Sequence, residues 1–328
     1  MTEVCLIYDM DNVGHDILLQ TPQRSGIINN CRFTLINQNN IDQLPKETDA
    51  VIVLNTPFTD IEISCHQDLT YLISQEAAND RYQWHTHSFK YFSKVYTQWP
   101  KRKKNMVPSH GFLTWYIEKS YDDLLKLDPA PKKHPHGVAY IGNKESILIG
   151  QVKRNEFVEK LNVAFSSHHK ISVDLLGRSY QAPIDNKFDT LHQYHYGLAI
   201  ENTIIDHYWT EKIADVFLAG ALPFYIGPKN IYDYFPKESI IMLDFDDVDK
   251  SIEIIQQAIE NNEYEKRKEA IEIARHKILN EYNLFAGFST IINEAIKNVE
   301  GKKTNVFFPK NYWDIKPTLI QKIKNKLL

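Results

Sequence analysis

The sequence predicts an α/β fold with two domains, each built on a parallel β-sheet. Its length of 328 residues exceeds the size at which one hydrophobic core usually keeps growing. Short apolar runs that end at turn residues alternate with segments of helical periodicity in both halves of the chain. This alternation is typical of parallel sheets covered by helices.

The N-terminal half contains four apolar runs with the composition of buried strands. The last run ends at Gln75 and Glu76, where polar residues begin. A proline-rich stretch at 128–135 cannot continue a helix and is typical of linkers. We therefore place the domain boundary there. The predicted strands lie at 4–8, 32–36, 50–54 and 69–74.

The C-terminal half repeats the alternation, and its clearest local signal is a helix start at Thr210. Threonine is a good N-cap, and Gly220 ends the helical run that follows it. The residues between 248 and 299 have helical periodicity and are interpreted as scaffold. Strands are expected at 138–141, 171–176, 222–227 and 239–243, and helices at 154–161 and 211–219.

These patterns divide the chain into domains at 1–135 and 136–300, followed by a tail at 301–328. In the tail, residues 319–328 alternate apolar and basic side chains. Such a segment is suited to an amphipathic helix at an anionic membrane. Packing of the tail on the other domain is the alternative, and the sequence does not choose between them.

Composition excludes several classes of protein. The formal charge of −4 disfavours a nucleic-acid binder, which needs a concentrated basic surface. Three cysteines near the N-terminus indicate neither a disulfide framework nor a zinc site. The first residues lack the pattern of a signal peptide, and no apolar run is long enough to span a bilayer. We therefore expect a cytoplasmic protein.

The helix start at Thr210 is the strongest candidate for a ligand site. Free backbone N–H groups and the helix dipole favour an anion at such a position. A strand-like run at 196–203 precedes it and ends in polar residues. Polar side chains from both segments are expected to converge on one ligand, for which a diphosphate is the natural choice. They are Glu201, Asn202, Tyr208, Glu211 and Lys212.

This region resembles the donor-binding motif of the α1,3-fucosyltransferases, family 10 glycosyltransferases. It contains Tyr-His-Tyr-Gly-Leu-Ala-Ile-Glu-Asn-Thr at 194–203 and Tyr-Trp-Thr-Glu-Lys at 208–212. The run Leu-Pro-Phe-Tyr-Ile-Gly-Pro at 222–228 follows in the order typical of the family. The resemblance is strong over 190–250, faint over 136–180 and nearly absent before 130.

The resemblance implies a GT-B glycosyltransferase with two Rossmann-like domains. The N-terminal domain would bind a glycan acceptor, and the C-terminal domain would bind GDP-fucose. Transfer would invert the donor linkage, form an α1,3 bond to a GlcNAc-type sugar and need no metal or other cofactor. Such an enzyme would serve the glycosylation of proteins or lipids, or the synthesis of lipopolysaccharide or another surface glycan, at the inner face of the membrane.

The resemblance also suggests roles for individual residues. Inversion needs a base that accepts the proton of the acceptor hydroxyl, and Glu76 best matches the family's glutamate. Lys212 and Arg154 would stabilise the charge on the departing diphosphate, at the helix start that Thr210 caps. The hydroxyl groups of the donor would be bound by Asn202 and Glu211, beside a pocket wall formed by Tyr208.

Some positions leave alternatives open. Glu201 is either a donor ligand or a buried carboxylate paired with a neighbouring cation. Trp209 replaces a small β-branched residue and is expected to narrow the pocket, which leaves room for a different nucleotide sugar. His195 and Ile200 also depart from the family pattern.

Two further functions compete with a glycosyltransferase. Asp9 and Asp11 form the Asp-x-Asp pattern of haloacid-dehalogenase-like phosphatases, which Asp246 and Asp247 would complete. The same pair resembles the metal-binding motif of GT-A transferases. A carbohydrate-binding module would explain the aromatic residues but not the helix start at Thr210. The histidines of the chain show no spacing typical of a metal site.

Overall fold

The computed structural model describes residues 1–9, 16–101, 103–112, 115, 117–127, 132–144 and 149–310. Within this part of the chain, two parallel sheets with separate hydrophobic cores confirm the predicted α/β class. No helix among the described residues is long and apolar enough to cross a membrane. Residues 319–328, for which a membrane contact was predicted, lie outside the described residues.

The first sheet has seven strands in the order β2-β3-β1-β4-β6-β7-β8. All its neighbouring strands are parallel except the short β2, which pairs antiparallel with β3. The four predicted strands correspond to β1, β3, β4 and β6. The strands are β1 (Thr2–Ile7), β2 (Ile27–Ile28), β3 (Cys31–Ile36), β4 (Ala50–Leu54), β6 (Thr70–Ile73), β7 (Lys94–Thr97) and β8 (Met106–Pro108), with β5 (Ile61–Cys65) outside this sheet.

The second sheet is entirely parallel and has five strands in the order β10-β9-β11-β12-β13. Its strands are β9 (His134–Ile141), β10 (Ser172–Leu176), β11 (Tyr194–Ile200), β12 (Leu222–Ile226) and β13 (Ile241–Met242). The last is shorter than predicted because Lys237–Ser239 forms a 3₁₀ turn before it.

Helices cover both sheets and connect their strands. The α-helices before residue 262 are α1 (Tyr121–Leu125), α2 (Ile149–Phe165), α3 (Lys187–Leu191), α4 (Glu211–Leu218) and α5 (Val248–Glu260). Those after it are α6 (Glu263–Lys266), α7 (Lys268–Lys277) and α8 (Leu284–Ala295), with a π-helical turn at Ile278–Tyr282 between the last two.

Two features differ from the predicted division of the chain. Residues 134 and 135 belong to β9, so the predicted boundary at 135/136 falls inside a strand. Pro135 is accommodated because the pairing of β9 with β11 is irregular there and needs no N–H from this residue.

The second difference is that α8, within the predicted 136–300 domain, packs in the core of the first sheet. Its apolar face covers residues such as Phe33 and Tyr71, with Phe285 and Phe288 in edge-to-face contact with them. The chain then pairs β14 (Thr304–Phe308) antiparallel with β5. The first part of the predicted tail thus lies against the N-terminal half.

Candidate active site

The strand order of the second sheet positions a cavity at the carboxyl ends of β9 and β11. The chain leaves these neighbouring strands in opposite directions, which opens a crevice where ligands bind in doubly wound sheets. The cavity has a volume of about 430 Å³ and contains three basic side chains, Arg154, Lys187 and Lys212. Its other lining residues are Tyr140, Ile141, Gly142, Asn143, Gln151, Leu191, Leu198, Ile200, Asn202, Glu211 and Val216.

Helix α4 begins at this cavity as predicted. Thr210 is its N-cap, and the hydroxyl of Thr210 accepts a hydrogen bond from the backbone N–H of Lys212 (3.3 Å). The first two residues of the helix, Glu211 and Lys212, both line the cavity.

Glu201 lies behind the cavity wall. Its side chain is fully buried, and its carboxylate accepts hydrogen bonds from the backbone N–H of Thr210 (2.9 Å) and from the Thr210 hydroxyl (2.7 Å). The ammonium of Lys212 lies 3.8 Å away. Burial raises the pKa of Glu201 against the opposing effect of Lys212. Of the two interpretations left open, this is the geometry of a buried carboxylate paired with a cation.

Lys212 lies between two carboxylates. Its Nζ is 3.1 Å from Glu211 Oε1 and 3.1 Å from the Thr210 hydroxyl. Burial alone would lower the pKa of Lys212, but the charges of Glu211 and Glu201 raise it. The pKa of Glu211 is lowered, because Lys212 and Lys187 outweigh the effect of its burial. Both groups are therefore charged at neutral pH.

Arg154 enters the cavity from α2 and is buried, with 5% exposure. Its guanidinium donates to Asn202 Oδ1 (2.6 Å) and to the backbone carbonyl of Asn143 (3.2 Å). Its Nε has no hydrogen-bond partner among the described residues. Helix α2 approaches Asn202 so closely that a Cβ at Gly150 would lie 1.8 Å from the Asn202 carbonyl oxygen.

Lys187, at the start of α3, was not predicted from the sequence. Its Nζ forms an ion pair with Asp215 of α4, whose side chain is fully buried. The available signal was the pattern Asn-Lys-Phe-Asp at 186–189, in which Asn186 caps α3 by accepting from the N–H of Asp189 (2.8 Å).

Tyr208 and Glu76 come from different halves of the chain and interact electrostatically. Burial raises the pKa of Tyr208 well above its usual value, with further contributions from the negative charges of Glu201, Glu211 and Glu76. Glu76 is half-buried and follows β6 at the carboxyl edge of the first sheet. Glu76 therefore lies within electrostatic range of Tyr208, whose buried side chain is not among those that line the cavity.

A chain of contacts joins the Glu76 segment to the start of α4. Gln75 donates from its side chain to the carbonyl of Phe112 (3.4 Å), and the ring of Phe112 packs on His110. The His110 ring stacks on Trp209, with centroids 4.6 Å apart and planes 18° from parallel. Tyr234 and Tyr282 complete this aromatic cluster, which we call the interdomain cluster.

Membership of the interdomain cluster changes the interpretation of Trp209. The prediction that it narrows the donor pocket is wrong, because its ring is buried in the interdomain cluster and does not line the cavity. The sequence could not indicate this, since the rings that surround Trp209 come from distant segments of the chain.

The residues of the competing functions do not form a site in the described part of the chain. Asp9 is exposed and accepts from the side chain of Gln38, whereas Asp11 lies outside the described residues. Asp247 caps α5 by accepting from the N–H of Lys250 (3.0 Å). No group of three or more potential metal ligands occurs among the described residues. His195 stacks on Tyr264, with ring centroids 4.0 Å apart.

Residues 134–288 match the profile of glycosyltransferase family 10 (fucosyltransferase), C-terminal part. The matched segment contains the cavity and all of its lining residues. The resemblance to family 10 predicted from the sequence is thereby confirmed.

Curated relatives match short segments of this chain. It is 40% identical over 58 residues to an α-(1,4)-fucosyltransferase of Arabidopsis thaliana, which is 16% of this chain and 14% of the relative. It is 36% identical over 74 residues to the α-(1,3)-fucosyltransferase FucT of Helicobacter pylori, which is 22% of this chain and 16% of the relative. The alignments thus span about one sixth or less of these relatives.

Solved structures extend the likeness to the whole fold. A crystal structure of an α1,3-fucosyltransferase with GDP has a TM-score of 0.50 at 16% identity and covers 91% of this chain and 92% of its own. A UDP-forming α,α-trehalose-phosphate synthase of Burkholderia xenovorans has a TM-score of 0.52 at 8% identity and covers 91% and 99%. At these identities the likeness shows the fold, which is GT-B as predicted.

Proposed function

We propose that this protein is an inverting glycosyltransferase that transfers L-fucose from GDP-fucose to a hydroxyl group of a glycan. The observation that carries the proposal is the cavity at the crevice between β9 and β11, where Arg154 and Lys212 meet the start of α4. The family 10 match over this segment supports fucose as the transferred sugar.

In the proposed reaction, the diphosphate of the donor lies against Lys212, Arg154 and the N–H groups at the start of α4. Arg154 is suited to this contact because its buried guanidinium is already oriented by Asn202 and Asn143. Asn202 and Glu211 are proposed to bind hydroxyl groups of the donor. Thr210 and Glu201 keep the helix start and Lys212 in place, and Tyr208 forms the wall towards the acceptor.

The chemical step is a direct displacement at the anomeric carbon. The acceptor oxygen attacks from the face opposite the diphosphate, and its proton passes to the carboxylate of Glu76. The bond from the anomeric carbon to the phosphate oxygen breaks, and GDP leaves with the bonding electron pair. Lys212 and Arg154 stabilise the added charge on GDP without a metal ion. A donor with a β linkage would therefore give an α-fucoside.

The acceptor is proposed to be a GlcNAc-type sugar of a surface glycan, bound by the N-terminal half and joined through an α1,3 linkage. We further propose that the enzyme acts at the cytoplasmic face of a membrane, with residues 319–328 as its contact. The same fold in a UDP-forming synthase makes transfer of a different nucleotide sugar the alternative.

The test is a donor screen followed by analysis of the product. Thermal unfolding is measured with GDP, UDP and GDP-fucose, because a ligand that binds only the folded state raises its stability. We expect GDP and GDP-fucose to stabilise the protein more than UDP. Incubation with GDP-fucose and N-acetyllactosamine should then release GDP and yield an α1,3-fucoside by NMR. Selective stabilisation by UDP would refute the donor assignment, and binding without transfer to any glycan acceptor would favour a binding module.

A further inference from the structure

Lys187 lies on the wall of the donor cavity, together with Arg154 and Lys212. Its side chain is 23% exposed, and its ammonium is paired with the carboxylate of Asp215, which has no exposure. None of the proposed steps uses either residue. The pair therefore needs an explanation of its own.

The pair fixes the position of a cation relative to α4. Asp215 lies three residues after Lys212, so both lysines are held relative to the same helix. A free lysine side chain loses considerable rotamer freedom when it binds a ligand. Because Asp215 already holds the Lys187 side chain in place, binding of an anion to its ammonium group would cost less side-chain entropy.

The alternative is a structural link between α3 and α4. Such a link explains the ion pair, but it does not explain why Lys187 lines the cavity together with Lys212 and Arg154. The field of Lys187 also reaches the site, because it is the second charge after Lys212 that lowers the pKa of Glu211. An anion bound near Glu211 would experience the same field.

We propose that Lys187 is a third cationic ligand of the donor diphosphate and that Asp215 is its positioning residue. This inference rests on the proposed function, since it assigns a contact to the same nucleotide-sugar site. It predicts that Lys187 acts on the phosphates and has no effect on binding of the nucleoside part.

The test compares GDP with guanosine, whose affinities are measured by calorimetry for each variant. The ratio of the two affinities reports the contribution of the diphosphate alone. In Lys187→Met we expect this ratio to fall about tenfold, the size of one charge-assisted contact, with guanosine affinity unchanged. Lys187→Arg should restore most of the ratio, and Asp215→Asn should lower it by about threefold.

A matched control is a second lysine–aspartate pair that involves α3. Lys119 pairs with Asp189 of α3 (3.1 Å) and does not line the cavity. Lys119→Met and Asp189→Asn should leave the ratio unchanged. If Lys187→Met lowers the melting temperature but not the ratio, the pair is structural and the inference is overturned.

Failure of the inference can be told apart from failure of the proposed function. If the wild-type protein binds UDP and not GDP, the donor assignment fails, and the ratio of UDP to uridine tests Lys187 in the same way. If the wild-type protein binds neither diphosphate, both proposals are refuted. Binding of GDP with a ratio that is insensitive to Lys187 refutes only the inference.

Discussion

The proposed donor cavity and the segment around Glu76 differ in how their polar side chains are held. In the cavity, Lys187 and Lys212 each contact a carboxylate, and Arg154 is oriented by two asparagines. Glu76 instead follows a strand end in the other half of the chain and is half-buried. Its neighbour Gln75 is connected through Phe112 and His110 to Trp209, beside the start of α4. The proposed roles of donor binding and proton transfer should therefore be separable between the two halves.

The largest expected effect is that of replacing Glu76, which should separate sugar transfer from GDP binding. Glu76→Gln keeps the size of the side chain but removes the proposed base, so transfer should fall by about 10² to 10⁴-fold. The affinity for GDP should stay within about twofold of wild type, because no contact between Glu76 and GDP is proposed. Turnover is measured as GDP release and affinity by calorimetry.

Glu62→Gln is the matched control, because Glu62 is an exposed carboxylate on β5 of the same half. It should change neither quantity. Retained turnover in Glu76→Gln would remove Glu76 from the mechanism, and a parallel loss of GDP affinity would contradict the separation of the two halves.

The second effect addresses the cavity. Arg154→Met and Lys212→Met should each weaken GDP binding by roughly 10- to 100-fold, the range of a hydrogen bond to a charged group. Arg154→Lys should recover little, because a lysine cannot bond to Asn202, Asn143 and a phosphate with the geometry of a guanidinium. Unchanged affinity in both methionine variants would refute the diphosphate site.

A third prediction tests the interdomain cluster through pH. Burial lowers the pKa of His110 to about 3, so the ring is neutral in the folded protein whereas the unfolded chain takes up a proton below about pH 6.5. The free energy of unfolding should therefore decrease as pH falls below 6.5, with a contribution from His110 of about 2 kcal/mol between pH 7 and pH 5.

His110→Gln removes this titration, so its stability should depend less steeply on pH than that of the wild type. Denaturant unfolding at pH 5 and 7 measures the difference. His169→Gln, at an exposed position, is the control for the substitution itself. An identical slope in all three proteins would show that His110 is not protected from protonation in the folded state.

The smallest expected effect is that of metal removal. Since the proposed stabilisation of the diphosphate relies on side chains and helix N–H groups, EDTA should leave turnover unchanged. Strict dependence on added Mn²⁺ or Mg²⁺ would revive a role for Asp9 and Asp11. Assays before and after dialysis against EDTA distinguish these outcomes.

The sequence was informative where local signals decide the structure. The strand at 50–54 and the N-cap at Thr210 follow from composition and capping, and both are confirmed. The placement of α8 on the first sheet and of Trp209 in the interdomain cluster depends on contacts between distant segments. The hydrophobic periodicity of a segment predicts which face is buried but not which of the two hydrophobic cores that face packs into.

The site shows the same limit. The motif identified the residues at the start of α4. It did not identify Lys187, because nothing in the sequence distinguishes its partner Asp215 from other polar residues of a helix. The full burial of Glu201 was also not predictable, since the same motif suits a carboxylate that contacts ligand and one that lies behind the wall. Distinguishing these cases requires the positions of side chains around the cavity.

The ion pairs around the cavity also bear on how fast a donor is captured. Arg154, Lys187 and Lys212 are offset in formal charge by Glu201, Glu211 and Asp215, and the whole chain carries a formal charge of −4. These nearly balanced charges attract an anionic ligand, such as the proposed nucleotide sugar, only weakly from a distance. The association rate of the donor should therefore be low compared with electrostatically steered encounters, and it should not depend on ionic strength. Selectivity would then arise after arrival, from whether a phosphate fits among cations whose positions are already set.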